Sequence, residues 1–260
     1  GEPVAIGLLE RFLVDWMVHN KKNMAVACAL PKDKKVAIIG SGPAGMTAAY
    51  HLAHEGYACT IFESLPVFGG MLAVGIPPYR LPRDIINAEF DSLKNCGVTV
   101  VNNLTIGKDL TIRQLKDEQG FDAAFVSVGA HNSRKLAVEG EELQGVTHGV
   151  DYLRGVCLGE KTNLGGKVVV VGGGNVAIDC VRSSFRIGKQ DVNLVYRRSK
   201  KEMPADPAEI HDAEEEKVRF HYLCNPTRIL ARDGRVTGVE CIRMELGEPD
   251  ASGRRRPVPV

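Results

Sequence analysis

Val36-Ala37-Ile38-Ile39-Gly40-Ser41-Gly42-Pro43-Ala44-Gly45 is the stretch that decides the fold. Its four apolar residues read as a short buried strand, and residues 44–54 continue as a helix rich in small side chains. Between strand and helix stands G-x-G-x-x-G. Gly40 permits the tight turn, Gly42 lets the backbone approach a pyrophosphate, and Gly45 lets the helix pack close to the sheet. The helix N-terminus adds unpaired N–H groups and a positive dipole end, both suited to an anion. Residues 58–62 give a second strand, which ends at Glu63, 18 residues beyond Gly45. A carboxylate there suits ribose hydroxyls and repels a 2′-phosphate, so this cradle favours FAD or NAD over NADP. The glycines alone would be a weak signal. Strand, helix and acid together make a dinucleotide-binding βαβ unit.

The arrangement returns about 130 residues later. Residues 168–171 are a strand, Gly172-Gly173-Gly174-Asn175-Val176-Ala177 a second cradle, residues 176–186 a helix and residues 192–196 the next strand. Its end differs from the first. In place of the acid stand Arg197 and Arg198, a guanidinium pair suited to bidentate contacts with a ribose 2′-phosphate. The second cradle therefore prefers NADPH to NADH.

Outward from these two units, residues 8–19 form a helix whose face of Leu8, Leu9, Phe12, Leu13, Trp16 and Met17 suits packing against a neighbouring domain. Lys21, Lys22 and residues 32–35 bracket a linker. A Gly/Pro-rich loop occupies residues 66–82, followed by a helix at 84–95, a strand at 98–101, a helix at 111–116 and a buried strand at 123–128 ending at Gly129. Further helices are expected at 150–158 and 208–217, and a strand at 218–223. Residues 227–231 and 236–244 form a hairpin around Asp233-Gly234, and the polar tail from 247 to 260 is expected to be mobile. The expected fold is α/β, with two Rossmann-like dinucleotide-binding domains. Residues 1–34 would be an N-terminal helix and linker, 35–147 the FAD-binding domain, and 148–260 the NADPH-binding domain with its tail.

Composition narrows the remaining possibilities. The 260 residues are 44% hydrophobic and 25% charged, with a formal net charge of +1, so nothing marks a nucleic-acid partner. No apolar run approaches the roughly 20 residues that span a bilayer, and no membrane association is expected. The chain opens on Gly1 with no signal-peptide pattern, which reads as an excised piece of a longer protein. Seven scattered cysteines, none at C-x-x-C spacing, read as buried thiols in a cytoplasmic protein. That scatter argues against a zinc or iron–sulfur site in this stretch, since such sites need clustered thiolates, and it disfavours a disulfide reductase, which needs a C-x₂₋₄-C pair. His131, His148, His211 and His221 have no convergent partner legible in the sequence, so no catalytic acid or base is assigned.

Beyond the first cradle, Gly69-Gly70-Met71 and Gly75-Ile76-Pro77-Pro78-Tyr79-Arg80-Leu81-Pro82 resemble the glutamate synthase small-chain family. That family also takes in the flavin/NADPH region of dihydropyrimidine dehydrogenase and the large subunits of NADPH-dependent ferredoxin oxidoreductases. Residues 195–205, with Arg197-Arg198 and Met203-Pro204-Ala205, resemble its NADPH half. The opening Pro3-Val4-Ala5-Ile6-Gly7 with Glu10-Arg11-Phe12 resembles the link that follows the family's iron–sulfur domain. The likeness runs over essentially the whole chain.

Carried over, the resemblance implies FAD contacts at Gly42, Pro43, Ala44, Gly45, Glu63, Met71, Arg80 and Ile106, with Gly69-Gly70 letting the chain pass close to the flavin. It implies NADPH contacts at Gly173, Gly174, Asn175, Val176, Arg197 and Arg198. Hydride would pass from NADPH to FAD, and electrons would leave for an iron–sulfur domain or subunit, with a large catalytic subunit as partner. Iron–sulfur clusters are expected in adjoining segments. The family's FAD domain is split, and the returning segment that closes it is expected after Val260. Two other readings remain beside a glutamate synthase small chain. One is a ferredoxin-linked or electron-bifurcating NADPH oxidoreductase subunit, the other a non-catalytic cofactor-holding module.

Overall fold

A computed structural model describes residues 3–20, 28–162, 164–249, 251 and 253–260; Gly1, Lys21 and Lys22, named above, lie outside these. The chain divides into two compact units, Gly1–Ala73 with Pro78–Ala130, and Val74–Pro77 with His131–Val260. Each is an α/β layer structure, as the sequence pattern requires.

The first unit begins with α1 (Ile6–His19), whose apolar residues stand exposed along its length. Then come β1 (Lys35–Ile39), α2 (Pro43–His54), β2 (Ala58–Phe62), the short α3 (Met71–Val74), α4 (Arg83–Asn95), β3 (Thr99–Val101), α5 (Ile112–Asp117) and β4 (Ala123–Val126). The loop expected at residues 66–82 thus contains one helical turn. The strands pair in parallel in the order β3-β2-β1-β4, half of a doubly wound sheet. Strand β1 lies inside the sheet, so both its faces are buried. Val36 and Ile38 pack on one side with Ala49, Ile61, Phe90 and Leu93, and Ala37 on the other with Phe62, Leu115 and Phe121. Phe68 stacks on Phe90 with centroids 3.6 Å apart, which fastens the loop after β2 to α4. Thr111 and Gln114 close a capping box at the start of α5.

The second unit contains α6 (Gly149–Cys157), β5 (Lys167–Val171), α7 (Asn175–Arg186), β6 (Asp191–Tyr196), α8 (Pro207–Glu215) and β7 (Arg219–Tyr222). Strands β5, β6 and β7 pair in parallel in that order. Val181, Val192, Leu194, Ile210 and Ala213 form its core. Buried Arg182 ties α7 to α8 by contacts with Glu209, Asp212 and Glu216. A three-stranded antiparallel meander follows: β8 (Cys224–Arg232), β9 (Arg235–Pro249) and β10 (Arg255–Pro259). The β8–β9 turn falls on Asp233 and Gly234, both with positive φ, as the hairpin signal requires.

Three expectations change. Within the tail, residues 247–249 and 255–259 are strand, because β9 runs on to Pro249 and Val258 and Pro259 pair with Glu245 and Met244. Its prolines mask this in sequence, yet proline is at home on an edge strand where its missing N–H costs no ladder bond. Residues 123–128 were expected to be a buried strand, but β4 is an edge strand, exposed throughout, with Val126 57% accessible. Apolar composition reports the side chains and not which strand closes the sheet. The cysteines are not uniformly buried either: Cys59 and Cys180 are, while Cys28 and Cys241 are exposed.

Candidate cofactor cradles

At the first cradle the glycines are required by contact. Gly40 has φ +103°, and a Cβ there would lie 2.4 Å from the Ser127 carbonyl oxygen, where the chain leaves β4. A Cβ on Gly45 would lie 2.0 Å from the Gly40 oxygen, so only glycine lets α2 start this close to its own turn. Gly70, at φ +54°, brings its chain against the turn, and a Cβ there would stand 2.7 Å from Gly42 Cα. Gly42 itself has φ −68° and ψ −178°, ordinary values, and its Cβ would meet nothing nearer than 4.0 Å. Its lack of a side chain therefore serves no internal contact. It leaves room in front of the first-turn N–H groups of Ala44 and Gly45, behind Pro43, which has no N–H to offer. This fits a pyrophosphate.

Glu63 stands at the end of β2, as expected, but its carboxylate is already occupied. One oxygen accepts from Ser41 N at 3.0 Å and Ser41 Oγ at 2.5 Å, the other from Leu65 N at 2.8 Å and Ser64 Oγ at 3.3 Å. Four donors fill the roughly four lone-pair sites of a carboxylate. Ser41 Oγ accepts in turn from Gly69 N at 2.9 Å. The acid thus latches the Gly40 turn to the Gly69-Gly70 turn, and the long Ser64 bond is the one a ribose hydroxyl can replace most cheaply.

The second cradle repeats the logic with different neighbours. Gly172 has φ +147° and faces Ala177 Cβ. Gly173 lies under the Tyr196 ring, 2.4 Å from where its Cβ would be, and Tyr196 Oη donates to the Glu202 carbonyl at 2.9 Å. Gly174 caps α7 with φ −93° and nothing within 4 Å of a Cβ. Again one glycine answers no contact inside the protein, and it sits before the first-turn N–H groups of Asn175 and Val176. Asn175 Oδ1 accepts from Asp206 N at 2.9 Å, and Ala205 N donates to Gly173 O, so the Met203–Ala205 loop is pinned beside the cradle.

Arg197 and Arg198 follow β6. Arg197 is exposed, whereas Arg198 is 8% accessible and donates to the Arg255 carbonyl at 2.9 Å. With Arg256, Pro257, Val258 and Pro259 they line a cleft of about 510 Å³. Strand β10 thus brings a third guanidinium, Arg256, which sequence reasoning missed because it took that tail to be mobile. The clustering of three cations with no carboxylate among the lining residues fits a phosphate.

The remaining expected residues are less centred. Met71 opens α3 directly after Gly70. Arg80 is half-buried, while its neighbour Arg83 donates to the carbonyls of Leu72 and Leu81 and so fixes the loop; nothing in the sequence singled Arg83 out. Ile106 is partly buried and packs against the Phe62, Leu115 and Phe121 cluster. Among the histidines, His221 bonds Asn193, His211 faces Glu215 on the surface, and His131 lies 3.4 Å from Arg154. Burial pushes the Cys59 thiol up to about 11 and the Cys180 thiol up to about 12, the latter with help from Asp179, so neither is an activated nucleophile.

The pyridine nucleotide-disulphide oxidoreductase family model matches residues 34–250. NADPH-Fe(3+) oxidoreductase subunit beta of Geobacter sulfurreducens is 54% identical over 238 residues, 88% of this chain and 35% of that protein. NADP(+)-dependent formate dehydrogenase subunit beta of Moorella thermoacetica is 49% identical over 283 aligned residues, 100% of this chain and 40% of that protein. The glutamate synthase (NADPH) small chain of Escherichia coli K12 is 34% identical over 265 residues, 97% of this chain and 56% of that protein. The chain therefore spans about half or less of the length of these relatives.

Proposed function

Because the chain belongs to the pyridine nucleotide-disulphide oxidoreductase family, we propose that it is the NADPH- and FAD-handling segment of a larger electron-transfer oxidoreductase. The observation that carries this reading is the pair of glycines, Gly42 and Gly174, that serve no internal contact yet stand before helix N-termini. Bound there, FAD would supply hydride acceptance from NADPH and release of electrons one at a time to iron–sulfur carriers. The protein's part is to hold and orient. Gly42, Pro43, Ala44 and Gly45 cradle the FAD pyrophosphate, Gly40 and Gly70 shape that turn, and Glu63 holds Ser41 and receives ribose hydroxyls. Met71, Arg80 and Ile106 are assigned to the flavin side by resemblance to the family. Gly172, Gly173, Gly174, Asn175 and Val176 receive the NADPH pyrophosphate. Arg197, Arg198 and Arg256 receive the 2′-phosphate.

The partner we propose is an iron–sulfur domain or subunit, working with a large catalytic subunit in the cytoplasm. Among the described residues no helix is long and apolar enough to cross a membrane. The exposed edge of β4 supports a further element of the FAD domain beside it. Higher identity to the Geobacter and Moorella proteins than to the glutamate synthase chain favours an NADPH oxidoreductase subunit of their kind over a glutamate synthase small chain. With FAD bound, NADPH is expected to bleach the visible flavin absorbance under anaerobic conditions. Retained FAD that NADPH leaves unbleached would instead identify a cofactor-holding module.

A further inference from the structure

The first unit brings together three side chains that no part of the dinucleotide chemistry uses. The ligand atoms of Cys28, His54 and Cys96 all lie within 4.8 Å of one another. Each residue comes from a different element: Cys28 from the segment before β1, His54 from the last position of α2, and Cys96 from the C-cap of α4.

From this convergence we propose that Cys28, His54 and Cys96 form a zinc site that fastens the segment leading into β1 onto the ends of α2 and α4. Two thiolates and an imidazole are the soft and borderline donors that select zinc among the common divalent ions. Zn–S bonds of ~2.3 Å at tetrahedral angles place two sulfurs about 3.8 Å apart, so the cluster closes on a metal by shifts of about 1 Å. Binding forms two Zn–S bonds and one Zn–N bond, releases the two thiol protons to solvent, and leaves the fourth position to water. Both helices present their C-terminal ends, whose carbonyl dipoles favour a cation.

The approach of Cys28 is built into the backbone without any metal. Ala29 N donates to the His54 carbonyl at 2.8 Å, and Lys32 N to the Gly56 carbonyl at 2.7 Å. Gly56 has φ +85°, and a Cβ there would lie 2.2 Å from the Leu30 oxygen, so this glycine admits the crossing segment. Lys32 then lies over the Tyr57 ring, 4.3 Å from its centroid, and 3.5 Å from Glu55. Zinc would therefore tighten an approach the chain already makes.

Cobalt(II) titrated into the metal-stripped chain tests this. One Co²⁺ per chain is expected to give intense near-ultraviolet thiolate-to-cobalt charge transfer and tetrahedral visible bands. C28S should abolish the charge-transfer signal of its sulfur with the fold intact by circular dichroism, while C241S, an exposed thiol elsewhere, should leave the spectrum unchanged. Zinc should also slow alkylation of Cys28 and Cys96 about tenfold in peptide maps, with Cys241 unaffected. No charge transfer in the wild-type chain, an unchanged spectrum in C28S, or a Cys28–Cys96 disulfide in the protein as purified under reducing agent-free, metal-replete conditions would each overturn the proposal.

Discussion

Gly42→Ala separates a glycine kept for a ligand from glycines kept for the fold. At φ −68° and ψ −178° alanine is at ease, and its Cβ would lie 4.0 Å from Gly70 Cα, an ordinary contact. Folding should lose nothing and can gain about 0.4–1 kcal/mol, because alanine has fewer unfolded conformations to give up. The new methyl occupies the space before the first turn of α2. Moving a pyrophosphate back by about one methyl radius costs on the order of two charge-assisted hydrogen bonds, each about 1.5 kcal/mol. The sum, about 3 kcal/mol, is a loss of roughly 100-fold in FAD affinity. Gly45→Ala is the control: its Cβ would meet the Gly40 oxygen at 2.0 Å and Ser127 Oγ at 2.9 Å, so backbone must move. That variant should lose about 3 kcal/mol or more of stability. Thermal midpoints and FAD titration by fluorescence quenching read both quantities on one sample. A Gly42→Ala protein that binds FAD like wild type, or that is destabilised as much as Gly45→Ala, would refute the reasoning.

The second cradle offers the same contrast: Gly174→Ala should fold normally and bind NADPH about 10–100-fold more weakly, while Gly173→Ala, pressed on the Tyr196 ring, should lose about 1–3 kcal/mol of stability in denaturant titration. Arg256→Ala should weaken NADPH about 5–10-fold and leave NADH unchanged in calorimetry, since it removes one cation from the proposed phosphate cleft. Burial alone would raise the Glu216 carboxyl, but hydrogen bonds from Arg186 and Arg182 outweigh it and hold it below the usual carboxylate range. A depressed folded value means the stabilisation is complete above an unfolded value of about 4.3 and is lost as pH falls through the folded one. Glu216→Gln should therefore cost about 1–2 kcal/mol at neutral pH, with the gap to wild type closing in acid. A gap that stays constant down to strongly acid pH would contradict that assignment.

What was legible in the sequence is what local spacing encodes. The turn at Gly40 to Gly45, the acid at Glu63 and the guanidinium pair at Arg197-Arg198 lie at fixed offsets from their strands, and the elements around them follow from periodicity. What was not legible depends on long-range pairing. Arg256 reaches the cleft only because β10 pairs with β9, and no motif marks that register. Glu63 could be placed at its strand end, but its four internal donors depend on the side chain's direction. Exposure of β4 depends on which strand lies at the sheet edge. Cys28, His54 and Cys96 stand 26 and 42 residues apart, far outside any ligand-spacing pattern, and they meet through the packing of α2 against α4 and the backbone bonds that lay the segment before β1 on the end of α2.

In the proposed function the second unit is built for a nucleotide carrying a 2′-phosphate. Isothermal titration of the intact chain with adenosine 2′,5′-bisphosphate and with adenosine 5′-monophosphate isolates that one group, free of nicotinamide and flavin chemistry. The bisphosphate should bind about 10–100-fold more tightly, 1.4–2.8 kcal/mol, with the difference shrinking as salt screens the exposed guanidinium groups. Equal affinities for the two would contradict it.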